Sequence, residues 1–391
     1  MKKLNNFKMQ VFVLVMTGFI LGCSEFVIVG VLNDIARDLH TSVAAVGYLV
    51  TIFALVYAIS TPIIATAIGR YNLYYSIAIL MLIFIAGNVM SAVANNFFWL
   101  AISRIITALV SGVIVSIAMT FANAIATPAK RPRLIAGIYS GFSIASVLGV
   151  PLGTWISIHW KWQAAFGVIV VVSILALVIM LLALPNDIVP PSSKMKQQLK
   201  IFTDRRILVG MFLPLFNLAG FYPLYTYLRP ILSSQLHFNA NSITIILFLY
   251  GITSIISNQI SGWLAERDGL TYMTKIYGVL IVILLVFPFL LVWRWLSVGV
   301  ILLIGIAMYL VSSPIAIFYL DIAQQDYPQS ILLASSINSI FSNFGIAVGS
   351  ATGSFLVANV GLSSVGPSGA LYVLIAILIV IFINKFAQKN N

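Results

Sequence analysis

Long apolar runs separated by short polar links organise this chain from end to end. Runs near residues 10–31, 45–68, 74–94, 97–121, 134–157, 163–184, 207–228, 241–264, 274–293, 296–320, 331–357 and 366–386 each offer the about 20 residues that a helix needs to cross a hydrocarbon core about 30 Å thick. They are continuous rather than alternating, which favours helices over the roughly ten-residue strands of a membrane barrel. The pattern predicts an all-α integral membrane protein of twelve transmembrane helices. Lys2, Lys3 and Lys8 precede the first run as they would in a secretory signal. No small-x-small cleavage site follows, however, and the run continues past Glu25, so the first run reads as a retained span.

The longest polar link, PNDIVPPSSKMKQQLKIFTDRR at 185–206, divides the chain almost in half. Its proline, serine and lysine content suits a solvated linker. The expected domains are an N-terminal six-helix bundle at 1–184, a cytoplasmic linker at 185–206 and a C-terminal six-helix bundle at 207–391. A repeat supports the division. When DLHTSVAAVGYLVTIFALVYAISTPIIATAIGR, from Asp38, is laid without gaps on QLHFNANSITIILFLYGITSIISNQISGWLAER, from Gln235, Leu39 and His40 fall on Leu236 and His237. Ser60 then falls on Ser257 and Arg70 on Arg267. Both segments begin at an outer loop, cross once and end on an inner arginine, so the two bundles are expected to be pseudo-symmetric.

Composition sharpens this picture. Of 391 residues, 61% are hydrophobic and 8% charged, and the mean hydropathy is +1.08; a soluble domain carries about a quarter charged residues, so none fits here. The net charge of +12 could suggest nucleic acid, but its distribution decides otherwise. With the N-terminus cytoplasmic, Arg37, Lys161, Arg229 and Arg294 lie outside, Arg104 lies within a span, and the remaining lysines and arginines lie inside. This is the positive-inside bias. Both termini are then cytoplasmic in a bacterial inner or plasma membrane, and the basicity is topological. The single cysteine, Cys23, excludes an intramolecular disulfide and a cysteine metal cluster and reads as a packing residue. His40, His159 and His237 fall at outer loops and form no metal constellation. No phosphate-binding loop, nucleophile motif or paired catalytic carboxylates occur, so the chain is not read as an enzyme and no cofactor beyond a proton gradient is expected.

Two charges stand inside the spans. Glu25 lies about 22 Å from the inner end of span one and Arg104 about 10 Å from the outer end of span four at 1.5 Å per residue, so both reach similar depth. A charge there costs at least ~2.5–3.5 kcal/mol on insertion scales, which demands a partner or a function. One reading is a static ion pair. The other is proton exchange at Glu25: burial favours its neutral form, Arg104 favours its charged form, and relative motion switches between them. Asp34, Asp38, Asp187, Asp204, Asp321 and Asp326 lie at span ends or in the linker and read as solvated or capping. The second half lacks the charged pair, since Glu25 maps to Tyr222 and Arg104 to Ile301. It offers instead Asn217, Tyr222, Tyr225 and Tyr227 in span seven, Asn258 and Gln259 in span eight, and Asn338 and Asn343 in span eleven. These are candidate substrate contacts, or polar glue between helices. Small residues recur at Gly137, Gly141, Ala145, Gly149 and Gly153 in span five and at Gly345, Gly349 and Gly353 in span eleven, with Pro151 able to bend the former. They read either as static packing or as faces that slide where the halves meet.

Several segments carry a resemblance. GWLAERDG, Gly262 to Gly269, resembles the inner-loop signature of the major facilitator superfamily. There a small residue starts the turn, and an acid and an arginine, here Glu266 and Arg267, brace neighbouring helices in one gate state. The first-half counterpart ATAIGRYN keeps Arg70 and lacks the acid. SRIITALVSG, Ser103 to Gly112, resembles the arginine-bearing fourth-helix motif, and GFSIASVLGVPLGT, Gly141 to Thr154, the fifth-helix antiporter motif containing Gly149, Pro151 and Gly153. EFVIVGVLNDIA and YPLYTYLRPIL resemble first and seventh helices of arabinose-efflux-permease-like members of the drug:proton antiporter family. The resemblance implies the major facilitator fold, a binding cavity at the midplane between the bundles, and export of small molecules, whether drug-like compounds, sugars or nucleosides, by proton antiport and alternating access. Its implied partners are a small-molecule substrate, protons and the lipid bilayer, with no nucleic acid, and the chain is expected to act as a monomer. A facilitator or proton symporter for a small neutral solute, and a non-transporting membrane sensor, are the alternatives.

Overall fold

In a bilayer the backbone must satisfy its own hydrogen bonds, and a helix does so within one segment. The computed structural model describes residues 7–68, 71–127, 131–186, 188, 199–267 and 269–389. It contains 12 helices long and apolar enough to cross a membrane. Six belong to a unit covering Met1–Ser192: α1 (Phe7–Asp38), α2 (Val43–Ile68), α3 (Leu73–Ala92), α4 (Phe97–Ile125), α5 (Arg131–His159) and α6 (Trp162–Ala183). The unit Ser193–Asn391 holds the other six. They are α7 (Arg205–Thr226), α8 (Ala240–Ala265), α9 (Gly269–Leu290), α10 (Arg294–Asp326), α11 (Ile331–Asn359) and α12 (Val365–Lys389). Half of the link expected at 185–206 lies outside the described residues.

The helices start where short polar side chains can accept the first free backbone N–H groups. Asn72 accepts from Tyr74, Asn96 from Trp99, Asn239 from Ser242 and Asp204 from Arg206. The repeat extends to a backbone detail. His40 and His237 are the non-glycine residues with positive φ among the described residues, both at 50°; His40 follows the end of α1, and His237 follows the helical turns Leu228–Pro230 and Ile231–Gln235 that continue beyond α7. The Thr41 N–H reaches back to Ala36 O, and the Phe238 N–H to Leu232 O, closing the last turns through a left-handed residue. Packing repeats as well. In the first unit α1 lies along α5 and α6, α2 along α4, and α3 along α6; in the second, α7 lies along α11 and α12, α8 along α10, and α9 along α12.

The tight seams lie within the units. Gly141 of α5 sits so close to α1 that a Cβ would collide with the Val15 carbonyl, and Gly345 of α11 stands in the same relation to Leu215 of α7. Gly149 and Gly153 likewise pack on Cys23, Phe26 and Val27 of α1. These glycine faces join helices of one bundle, with Pro151 accommodated inside α5. Asp34 and Asp38 also depart from a merely solvated role. Because α1 extends to Asp38, Asp34 accepts from the Ser157 hydroxyl at 2.5 Å and Asp38 from the Trp162 indole at 2.8 Å. Both tie α1 to the α5–α6 end of its bundle.

Candidate functional site

Arg104 is fully buried on α4. Its guanidinium donates to the Ser24 carbonyl through Nη2 at 2.8 Å and to the Ser24 hydroxyl through Nη1 at 3.3 Å. That hydroxyl donates in turn to Asn88 Oδ1 on α3 at 3.0 Å, and Asn88 Nδ2 donates to Phe84 O at 2.9 Å. The Arg104 guanidinium carbon lies 4.4 Å from the Phe53 ring centroid and 5.7 Å from that of Phe166, within the roughly 6 Å range of cation–π attraction. Arg104 Nε has no acceptor among the described residues.

Glu25 follows Ser24 and is partly accessible. Among the described residues no hydrogen bond or ion pair reaches its carboxylate, although the Arg104 charge lies within electrostatic range. A direct Glu25–Arg104 ion pair is thus not formed. The arginine is held on the backbone next to the acid rather than on the acid itself. Sequence reading missed this cradle. The signal was present in Asn88, the one amide in the α3 run, and in the serine preceding the buried acid.

In the second unit the polar side chains surround a break. α10 is interrupted over Met308–Val311 between Arg294–Ala307 and Ser312–Asp326. Pro314 supplies the local cause: it has no N–H for the carbonyl four residues earlier, and its ring crowds that carbonyl. The Met308 and Leu310 N–H groups bond three residues back instead, to Gly305 and Ala307. Neighbouring helices satisfy the rest. Ser257 and Ser261 of α8 accept the Tyr309 and Ser313 N–H groups, each at 2.9 Å. Asn217 of α7 donates to Met308 O at 3.0 Å and accepts from the Tyr277 hydroxyl at 2.7 Å. Asn217, expected as a substrate contact, thus has both ends of its amide engaged in bracing the break. The apolar run expected as span ten is present as Arg294–Asp326, with this break inside it.

The other predicted residues are distributed more widely. Tyr222 and Tyr225 are buried with ring centroids 5.2 Å apart, and Tyr225 stacks on Tyr250 at 5.6 Å; Tyr227 bonds Ser354 at 2.8 Å. Asn258 and Gln259 are exposed on α8. Asn338 Oδ1 and Asn343 Oδ1 are buried acceptors with no partner among the described residues. Gly262 lies within α8 facing open space rather than starting a turn, and the tight glycine is Gly269, where a Cβ would meet Leu264 and Pro314. Glu266 and Arg267 are exposed, and Arg267 stacks on Trp263 of α8 at 4.4 Å. Arg70 lies outside the described residues. Where α7 begins, Asp204 bonds Arg206 at 2.7 Å, and Arg206 also pairs with Asp326 at the end of α10. Burial pushes the Asp204 carboxyl up, but hydrogen bonds from the Arg206 side chain and backbone, with its charge, hold it below the usual carboxylate range.

Twelve spanning helices in two units with matching internal pairings, and ionisable chemistry buried in one of them, define a polytopic membrane transport fold. The family model for the Major Facilitator Superfamily matches residues 14–332, and the chain belongs to that superfamily; it is a transporter and not an enzyme. It is 31% identical over 382 residues to an uncharacterized MFS-type transporter, YbcL, of Bacillus subtilis (strain 168), covering 97% of both chains. It is 28% identical over 386 residues to a probable sugar efflux transporter of Helicobacter pylori (strain G27), covering 98% of this chain and 97% of that one. Among solved structures, a D-xylose-proton symporter shares the fold with a TM-score of 0.73 at 16% identity, over 96% of this chain and 97% of that chain.

Proposed function

We propose that this protein exports small molecules by proton antiport with alternating access in a bacterial inner membrane, both termini cytoplasmic, as a monomer. The observation that carries the reading is Glu25. It is the acid placed deep within a span, it is partly accessible, and no side chain of the described residues bonds it. An acid so placed can take a proton or compete for a cationic or hydroxyl-bearing group of the substrate, and the nearby Arg104 charge sets the balance. The Helicobacter relative favours sugars as the first substrate class to try. Tyr222, Tyr225, Asn258, Gln259, Asn338 and Asn343 are the proposed substrate contacts, the two α11 amides because their carbonyl oxygens could accept a substrate hydroxyl. Glu266 and Arg267 are proposed to latch the inner side in another state of the cycle.

The test is substrate-dependent proton movement in proteoliposomes offered sugars, nucleosides, phenicols and lipophilic cations. Glu25→Gln is expected to abolish coupled proton flux while the protein still inserts. Solute movement without proton flux in the wild type would make the protein a facilitator.

A further inference from the structure

Resting on the reading of Glu25 as the proton-exchanging group, we propose that Asn88, acting through Ser24, is the positioning residue of that switch: it holds the Arg104 guanidinium on the α1 backbone and off the Glu25 carboxylate. The chain of bonds has a direction. Asn88 Nδ2 is committed to Phe84 O, which presents Oδ1 to the Ser24 hydroxyl. That hydroxyl has one proton, and giving it to Asn88 turns its lone pairs to Arg104 Nη1, while Nη2 takes the adjacent carbonyl. Asn88, Ser24 and Arg104 are all fully buried, so water does not compete for these bonds.

The repeat supplies an independent argument. When His40 is laid on His237, Ser24 falls on Phe221, Asn88 on Leu285 and Arg104 on Ile301. The three polar members are thus replaced together by apolar ones in the half that lacks the acid, as expected of a set that works as one unit. Loss of the cradle would free the guanidinium, whose Nε already has no acceptor, to pair with Glu25. Helices α2, α4, α5 and α6 pack on α1. Their titratable side chains include Tyr48 and Tyr57 on α2, Arg104 on α4 and Tyr139 and His159 on α5, and Cys23 lies on α1 itself; of these, Arg104 is the group whose charge acts on Glu25.

Infrared difference spectroscopy of the full chain in lipid vesicles tests this without any substrate. The carboxyl band present in the wild type and absent in Glu25→Gln is followed as pH is varied. Ser24→Ala and Asn88→Leu are expected to move its midpoint toward acid by about one pH unit, as a newly paired carboxylate requires. Ser24→Thr, which keeps the hydroxyl, should restore the wild-type midpoint, and Arg104→Gln should move it the other way, a contrast that general loosening of the bundle would not produce. An unchanged midpoint in Ser24→Ala overturns the positioning role, whether or not Asn88→Leu folds. A wild type with no titrating Glu25 band overturns the proton reading itself.

Discussion

Span four and span ten occupy corresponding places in the two bundles, yet they bury polarity in opposite ways. α4 is one uninterrupted helix over Phe97–Ile125 that carries a buried guanidinium. α10 carries no charge at the corresponding Ile301 and instead buries a broken stretch of backbone. The repeat locates the origin of the difference, because Pro314 of α10 falls on Ile117 of α4. Ser60 and Ser257 show its consequence. Ser257 accepts the Tyr309 N–H released by the break, whereas the buried Ser60 hydroxyl has no partner among the described residues. One architecture thus supports a charged site in one half and a braced discontinuity in the other: Ser24 and Asn88 of the cradle fall on apolar residues of the second half, whereas Ser257 of the brace falls on a serine that the unbroken α4 leaves without a partner among the described residues.

The largest expected effect comes from moving the charge across the repeat. Ile301→Arg places a guanidinium at the fully buried position that matches Arg104 in the half without Ser24 and Asn88, and it should destabilise the inserted protein by ~2.5–3.5 kcal/mol or more, read by unfolding in detergent. A cost near zero would mean that the α1–α3 cradle is not what makes Arg104 tolerable. The serines give a sharper contrast. Ser257→Ala and Ser261→Ala each remove the acceptor of a buried backbone N–H and should cost about 1–3 kcal/mol, with faster hydrogen exchange at Tyr309 and Ser313. Ser60→Ala should cost close to nothing, and equal losses at Ser60 and Ser257 would break the comparison.

Two smaller effects test what the halves share and what they do not. His40→Val and His237→Val force a β-branched residue into a left-handed conformation, so each should cost roughly 1–2 kcal/mol, by similar amounts in the two bundles. Asp326→Asn removes the partly exposed pair with Arg206, and a change of about 0.2–1 kcal/mol in the second unit is expected. Acid should act in the same direction there. Because Asp204 is held below its ordinary range, its contribution is present above about pH 3.9 and is lost as pH falls through its lower folded value. Thermal stability of Asp204→Asn should therefore respond less to acidification than that of the wild type.

Much of the fold was legible in the sequence because the signals are long. Runs of about 20 apolar residues and the alignment of the segments that hold His40 and His237 each integrate over many positions. The site was legible only in its charges. Glu25 and Arg104 stand out because a charge in an apolar run is costly wherever its side chain points. Their partners depend on rotation about helix axes, which the runs do not encode, so Ser24 and Asn88 looked like ordinary small and amide residues. Pro314 was visible in the sequence, but spanning helices often tolerate proline, and only the serines of α8 reveal that the backbone parts there. Asn217 was ambiguous for a related reason: a buried amide suits a ligand and a broken helix equally well, and its partners are Met308 O and the Tyr277 hydroxyl.

The most direct measurement is the pH outside substrate-loaded proteoliposomes carrying wild-type protein or Glu25→Gln, while the solute panel is offered. Proton antiport predicts substrate-dependent proton flux, opposite in direction to the solute, that is present in the wild type and absent in the variant. Equal coupled flux in the two proteins would contradict the role of Glu25 and leave it as a neighbour of Arg104 within the span.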